Sequence, residues 1–307
     1  MAFDFEEMLQ KIKDRQWALA DVDWNAPGAD RIRDAQRPKL RAFMADLVWI
    51  ENVGARGFAA LARRAPSETL AEIYKYFHAE EQRHANAELA LMRRWGMLED
   101  GQVPEPNINI RLAIEWLDRY ADELPLASLG AVIPALEVAL DGALVKFLLD
   151  EVDDPICHEV FRLINADESR HLAVDFEVLD LIGSSPRRRL WLRGVTTTLQ
   201  PKALLGMLAY IPLLNRMRDN VVAMGLDEKR LYHAMSRYGM TGDRSPHTRR
   251  VPGYQLLKRH TAMAIDRSHP YHHFADFMVR ATARIPSRWL GPTPSWASEL
   301  TCEPVAP

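Results

Sequence analysis

The chain has 307 residues, 48% of them hydrophobic and 26% charged, with a formal net charge of −3; it is long enough to bury the core of one large domain or two small ones, and it lacks the basic character usual in nucleic-acid binders. Two cysteines, Cys157 and Cys302, are too few for a disulfide scaffold or an iron–sulfur cluster, so a reducing, cytoplasmic setting is expected. The acidic N-terminal sequence carries no signal-peptide pattern, and the longest apolar run, residues 203–214, is about half a membrane span and contains Pro212, so no membrane span is expected.

In chain order, residues 1–36 read as an arm, mobile or wrapping the body, with a short helix around Phe5–Trp17 that Asn25-Ala26-Pro27-Gly28 breaks. From Pro38 to Arg64, Leu40, Phe43, Met44, Leu47, Val48, Ala55, Phe58 and Leu61 fall at helical spacing, and Glu51 lies on the same stripe. Ser67 is a suitable N-cap for the next helix, which runs to about Trp95 and carries Glu81 and His84. A loop with Pro104 and Pro106 precedes a helix over 108–120. The next long helix, 126–149, carries Glu137 among Val132, Ile133, Leu136, Leu140 and Leu144. Asp153-Asp154-Pro155 opens a helix over 156–182 with Glu168 and His171, and Gly183-Ser184-Ser185-Pro186 ends it. Further helices are expected over 187–199, 202–224, 227–237 and 268–283, with a basic loop over 241–260 and a disordered tail from Pro286. No stretch alternates as a strand does. The expected architecture is all-α: an arm (1–36), a four-helix bundle (37–184), a helical C-terminal extension packed on it (185–285) and the tail (286–307).

Within the bundle, Ala79-Glu80-Glu81-Gln82-Arg83-His84 and Ala166-Asp167-Glu168-Ser169-Arg170-His171 are near copies. Residues three apart on a helix share a face, so each Glu-x-x-His offers one carboxylate and one imidazole to the same point. A lone glutamate precedes the paired one by 30 residues in the first unit, Glu51 to Glu81, and by 31 in the second, Glu137 to Glu168. A helix of about 25 residues spans about 38 Å. That separation therefore suits two groups at mid-height of a helical hairpin, and two such hairpins bring six ligands together. Four carboxylates and two imidazoles suit iron or manganese better than zinc, and four buried glutamates without cations would be very costly.

This pattern resembles the ferritin-like di-iron carboxylate superfamily, in the style of its oxygen-activating branch: monooxygenase hydroxylases, acyl-carrier-protein desaturases and arylamine N-oxygenases. The resemblance covers roughly residues 37–184. It implies that Glu51, Glu81 and His84 bind one iron and Glu137, Glu168 and His171 the other, with some carboxylates bridging, and that these six residues are the catalytic set. It implies that Glu80 and Asp167 accept hydrogen bonds from the ligand imidazoles and that Arg83 and Arg170 hold those acids. The implied cofactor is a pair of Fe ions, with a mixed Mn/Fe pair as the alternative. The implied activity is hydroxylation, desaturation or N-oxygenation of a small or carrier-bound acyl substrate with O2. The chain has no flavin or nicotinamide fingerprint, so an external donor, a ferredoxin or a flavin reductase, would supply electrons. A homodimer is a further expectation. Two departures set the chain apart from defined branches: Glu88 stands where radical-generating ribonucleotide reductase subunits have a tyrosine, and Ile164 where arylamine N-oxygenases have an extra histidine.

Other readings stay open. The bundle also suits an iron-handling or peroxide-detoxifying ferritin relative, or a helical binding module without catalysis. His78 is a pocket or proton-donor residue, or a satisfied core group. Glu88 and Asp175, each four residues after a ligand histidine, either extend the polar network or form a solvated edge. Gly54 and Gly57 leave room beside the metals or allow close helix packing. The basic stretch from Arg244 to His260 grips an anionic group or is simply solvated. His269, His272 and His273 make a poor metal site without neighbouring acids.

Overall fold

A computed structural model describes residues 3–139, 148–149, 152–186, 188–192, 200–201, 206, 216, 218–220, 222–225, 228–286 and 289. Among them there are helices and no strand, so the all-α expectation holds. The helices are α1 (Phe5–Asp14), α2 (Arg37–Arg64), α3 (Glu68–Arg94), α4 (Ile108–Tyr120), α5 (Leu126–Ala139), α6 (Pro155–Gly183), α7 (Glu228–Gly242), α8 (Pro252–Ile265) and α9 (Pro270–Thr282). The second part of the 126–149 helix, most of the two helices expected between 187 and 224, and nearly all of the tail lie outside the described residues.

The helix ends follow local chemistry. Ser67 Oγ accepts the Leu70 N–H at 3.2 Å to start α3, and the basic pairs Arg63–Arg64 and Arg93–Arg94 sit in the last turns of α2 and α3, where the helix dipole favours them. Asp154 caps α6 by accepting the Ile156 N–H at 3.0 Å, with Pro155 at the first turn where its missing N–H costs nothing. The same Asp154 carboxylate receives Arg94 at 2.9 and 3.1 Å and the Trp95 indole at 2.8 Å. One acid thereby ties the end of α3 to the start of α6. Gly28, at φ +137°, sits against this joint, where a Cβ would lie 2.7 Å from Pro155.

α2 packs along α3, α5 along α6, and α2 against α5 and α3 against α6 close the four-helix core. Its buried faces carry Phe43, Met44, Leu47, Phe58, Phe77 and Phe161. One lone Glu on each of two helices and a Glu-x-x-His on each of the other two is the layout of a ferritin-like di-metal bundle. The arm wraps rather than trails: α1 lies on α3, with Leu9 and Ile12 buried. On the other side, α7 and α8 cover α5, and α9 packs on α8 and α4.

One expectation is corrected. Residues 241–260 are not a loop: a short 3-10 turn, Thr248–Arg250, leads into α8. Pro252 sits in the first turn of α8 and its buried Tyr254, Leu257, His260 and Thr261 fall at helical spacing. The density of Lys and Arg masked that spacing, because Lys258 and Arg259 share the outer side of the helix with the exposed Leu256.

Candidate metal centre

Glu51 of α2, Glu81 and His84 of α3, Glu137 of α5, and Glu168 and His171 of α6 are all buried. Their ligand atoms fall into two groups able to hold a metal ion: Glu51, Glu81, His84 and Glu168; and Glu81, Glu137, Glu168 and His171. Within each group the atoms lie within 4.8 Å of one another. Glu81 and Glu168 belong to both groups, so in a two-ion site the paired glutamates would be the shared carboxylates, and the lone Glu51 and Glu137 would each serve one position.

The imidazoles face inward through Nδ1. His84 Nδ1 is 3.1 Å from Glu168 Oε1 and 3.6 Å from Glu51 Oε2. His171 Nδ1 is 3.2 Å from Glu81 Oε1 and 3.6 Å from both Glu137 and Glu168. None of these contacts is aligned as a hydrogen bond: both carboxylate oxygens of Glu81, Glu137 and Glu168, Glu51 Oε2 and both histidine Nδ1 atoms are buried and without a hydrogen-bond partner. Burial pushes Glu81 and Glu137 well above the ordinary carboxylate range, and the neighbouring Glu168 charge pushes in the same direction. Burial alone would lower His84, but the carboxylates of Asp167, Glu168 and Glu51 outweigh it and raise its pKa well above normal. This donor set is unsatisfied by protons alone and fits two divalent ions, whose four positive charges balance four glutamates.

The outward Nε2 atoms meet acids from the opposite unit. His84 Nε2 is 3.0 Å from Asp167 Oδ2, and His171 Nε2 is 2.9 Å from Glu80 Oε2. Each copy of the hexapeptide thus orients the other copy's histidine. Such a bond fixes the tautomer that leaves Nδ1 free to ligate. Arg170 donates to Glu80 at 3.1 Å and also to Asp167, while Arg83 reaches Asp167 at 3.4 Å. Burial opposes ionisation of Asp167, yet the His84 bond and the two guanidiniums hold its pKa at about 2.

Two residues that the repeat could not reveal complete this layer. The Trp17 indole N–H donates to Asp167 at 2.8 Å, and the Gln16 amide donates to Glu80 at 2.6 Å while accepting from Arg83 at 2.9 Å. The Arg83 guanidinium also lies 5.0 Å from the Trp17 ring centre. Both belong to the arm, outside the repeated units, so spacing gave no signal for them. The His171 side is lined instead by Phe77 and Phe58, with ring centres 4.1 and 5.1 Å from the imidazole.

The remaining candidates separate clearly. Glu88 and Asp175 are buried with no hydrogen-bond partner, which excludes a solvated edge. Burial raises both pKa values, that of Asp175 to about 8. A Cβ on Gly54 would lie 2.3 Å from Glu81 Oε2, so this glycine makes room for the ligand itself; on Gly57 it would meet Ile133 at 2.2 Å, which is helix packing. His78 binds the Ala55 carbonyl through Nδ1 at 2.8 Å and lines, with Asn52, Arg56, Gln82 and Asp118, a cleft of about 280 Å³. His269 caps α9, and His272 packs on Arg218 and Asp276; neither belongs to a metal-holding group among the described residues.

No protein-family model matches the chain, and no curated relative matches it in sequence. Among solved structures, the chain is similar in path to a point mutant of an R2-like ligand-binding oxidase with an anaerobically reconstituted Mn/Fe cofactor, at 14% identity and a TM-score of 0.49, over 84% of this chain and 93% of that one.

Proposed function

We propose that this chain is a non-haem di-metal oxidase or oxygenase of the ferritin-like carboxylate type. The observation that carries the reading is the pair of buried ligand groups sharing Glu81 and Glu168, whose oxygens and Nδ1 atoms have no hydrogen-bond partner. In this reading Glu51 and His84 complete one position, Glu137 and His171 the other, and Glu81 and Glu168 serve both. Two iron ions, or one manganese and one iron, would supply the redox chemistry by which O2 oxidises an organic substrate.

The protein's own residues prepare the centre for that role. Asp167 and Glu80 keep the Nε2 protons of His84 and His171, which holds both Nδ1 lone pairs toward the ligand cluster. Arg83, Arg170, Gln16 and Trp17 hold those two acids in place, and the His84 bond with the two guanidiniums keeps Asp167 ionised. Phe58 and Phe77 exclude water from the His171 side. The carboxyls of Glu88 and Asp175, buried one turn beyond each histidine and raised in pKa, hold protons within the core. The substrate is a small organic or carrier-bound acyl compound to be hydroxylated, desaturated or N-oxygenated. Electrons come from an outside donor, a ferredoxin or flavin reductase. No described helix is long and apolar enough to cross a membrane.

The test is anaerobic reconstitution of the full chain with Fe(II), alone and with Mn(II), followed by elemental analysis and exposure to O2. The expected result is about two ions per chain, with O2 uptake and an absorbance change. Less than about one ion per chain, with no uptake, overturns the reading. Uptake that deposits iron mineral, or turnover of hydrogen peroxide alone, replaces it with an iron-handling function.

A further inference from the structure

A second feature lies beyond the C-terminal end of α6, apart from the ligands. Arg189 N and Leu190 N bond back to the Pro186 carbonyl at 2.9 and 3.1 Å, and residues 188–192 are helical. The loop before α8 is clamped onto the same end. Ser245 and His247 both bind the Asp180 carboxylate, the latter at 3.2 Å. Gly183 permits the approach, since a Cβ there would lie 2.0 Å from the His247 carbonyl. This fixes the 3-10 turn Thr248–Arg250 beside the start of the next helix. Arg188, Leu190, Trp191, Arg250 and Pro252 then line one cleft of about 460 Å³.

Its chemistry is unusual for a surface whose only role is solubility. Arg188, Arg189, Arg249 and Arg250 are exposed, and no acidic side chain among the described residues pairs with them. Trp191 stands 61% exposed among them, although the chain's other large side chains include fully buried Trp49 and Trp95. A pocket for one small anion would bury its guanidiniums around a single point. Here the guanidiniums stay in water around an open apolar cleft. That arrangement suits a ligand that is itself extended, densely anionic and able to accept an indole: the headgroup layer of a bilayer, where tryptophan sits by preference and basic clusters add attraction residue by residue.

We infer that this end of the bundle, built from Arg188, Arg189, Trp191, Arg249 and Arg250, docks the protein onto an anionic lipid surface. The inference does not depend on the metal chemistry. The mode is peripheral, with the indole at headgroup depth and no segment crossing.

The experiment is co-sedimentation of the full chain with vesicles containing about one-third phosphatidylserine in phosphatidylcholine, against phosphatidylcholine alone, at low and high salt. The chain is expected to sediment with the anionic vesicles only, and to be released by salt. Each arginine near such a surface contributes about five-fold in partitioning, so Arg188→Gln/Arg250→Gln should weaken binding about twenty-five-fold. The exposed pair Arg41→Gln/Arg119→Gln on the bundle flank should leave it unchanged. Brominated lipids should quench the parent's fluorescence, and Trp191→Phe should remove that quenching. The inference is overturned by absence of binding to anionic vesicles at low salt, by equal losses in both arginine pairs, or by quenching that survives Trp191→Phe. Binding to polyglutamate as tight as to vesicles also overturns it, in favour of an acidic protein partner.

Discussion

The two halves of the candidate metal centre carry the same residue types at nearly the same spacing, yet their surroundings differ. His84 has the arm beside it: Trp17 stacks near its ring at 6.4 Å between centres and binds the acid that orients it. His171 has an apolar wall, with the Phe77 ring centre at 4.1 Å and Phe58 at 5.1 Å. The position of the second unit equivalent to Phe77 is Ile164, apolar but not aromatic. The arm reaches the acids behind both histidines, through Trp17 to Asp167 and Gln16 to Glu80, but only His84 has the indole beside its ring, while His171 packs on phenyl rings. A pair of ions held there would experience different fields from identical donors, because the groups around the ligands tune the metals as much as the ligands do.

The largest expected effect tests whether the halves are separable at all. Glu81→Ala or Glu168→Ala removes a carboxylate common to both groups and should leave almost no bound metal. Glu51→Ala or Glu137→Ala removes a terminal ligand and should leave about one ion per chain, in the opposite half. Elemental analysis after anaerobic reconstitution distinguishes these outcomes; the same loss in all four variants would mean that the centre fills only as a unit.

Next in size is the pair of glycines on α2. Gly54→Ala places a methyl where the Glu81 carboxylate lies, so metal content should fall as in Glu81→Ala while the helix remains intact. Gly57→Ala meets the end of the Ile133 side chain instead. It should keep both ions and lower stability by about 1–3 kcal/mol through overpacking, measured by thermal unfolding. Retained metal in Gly54→Ala would show that Glu81 has another place to go.

The contrast between these glycines marks how far the sequence could be read. The convergence of Glu51, Glu81, His84, Glu137, Glu168 and His171 was legible because residues three apart share a helix face and the unit is written twice. The hairpin separation indicated the bundle, and the Ser67 cap and the Asp153-Asp154-Pro155 break marked the starts of α3 and α6, although the Asp154 cap itself came only from the structure. The sharing of Glu81 and Glu168 was not legible, since spacing places side chains at one level without saying which lie between two ions. Nor was the exchange of Glu80 and Asp167 between units, which depends on how α3 and α6 face each other. Gln16 and Trp17 lie in no repeat and reach the centre only because α1 folds back on α3. The helix over 252–265 was hidden by its own charges.

The exchanged acids give a third comparison. Asp167→Asn should weaken the position served by His84, and Glu80→Gln the one served by His171, each by about 10–100-fold in metal affinity. Stepwise metal titration against the terminal-ligand variants identifies the half affected. If Asp167→Asn weakened the His171 half instead, the crossed pairing would be wrong.

The smallest effect concerns the acids one turn beyond each histidine. Burial holds Asp175 at a pKa of about 8, against about 3.9 for an unfolded aspartate. Between those values the unfolded chain has lost the proton and the folded chain keeps it. Stability contributed by this group is therefore full below the unfolded value, falls as pH rises toward 8, and is flat above it. The slope is at most about 1.4 kcal/mol per pH unit. Asp175→Asn, neutral at every pH, should remove that slope from urea unfolding of the metal-free protein while retaining the fold. Glu88→Gln probes the His84 half in the same way, since burial raises Glu88 as well. If only one variant flattens the profile, the proton is held on one side of the centre, and the asymmetry around the two histidines extends to the acids behind them. If neither does, the two carboxyls are ionised in the folded core, and water must reach them.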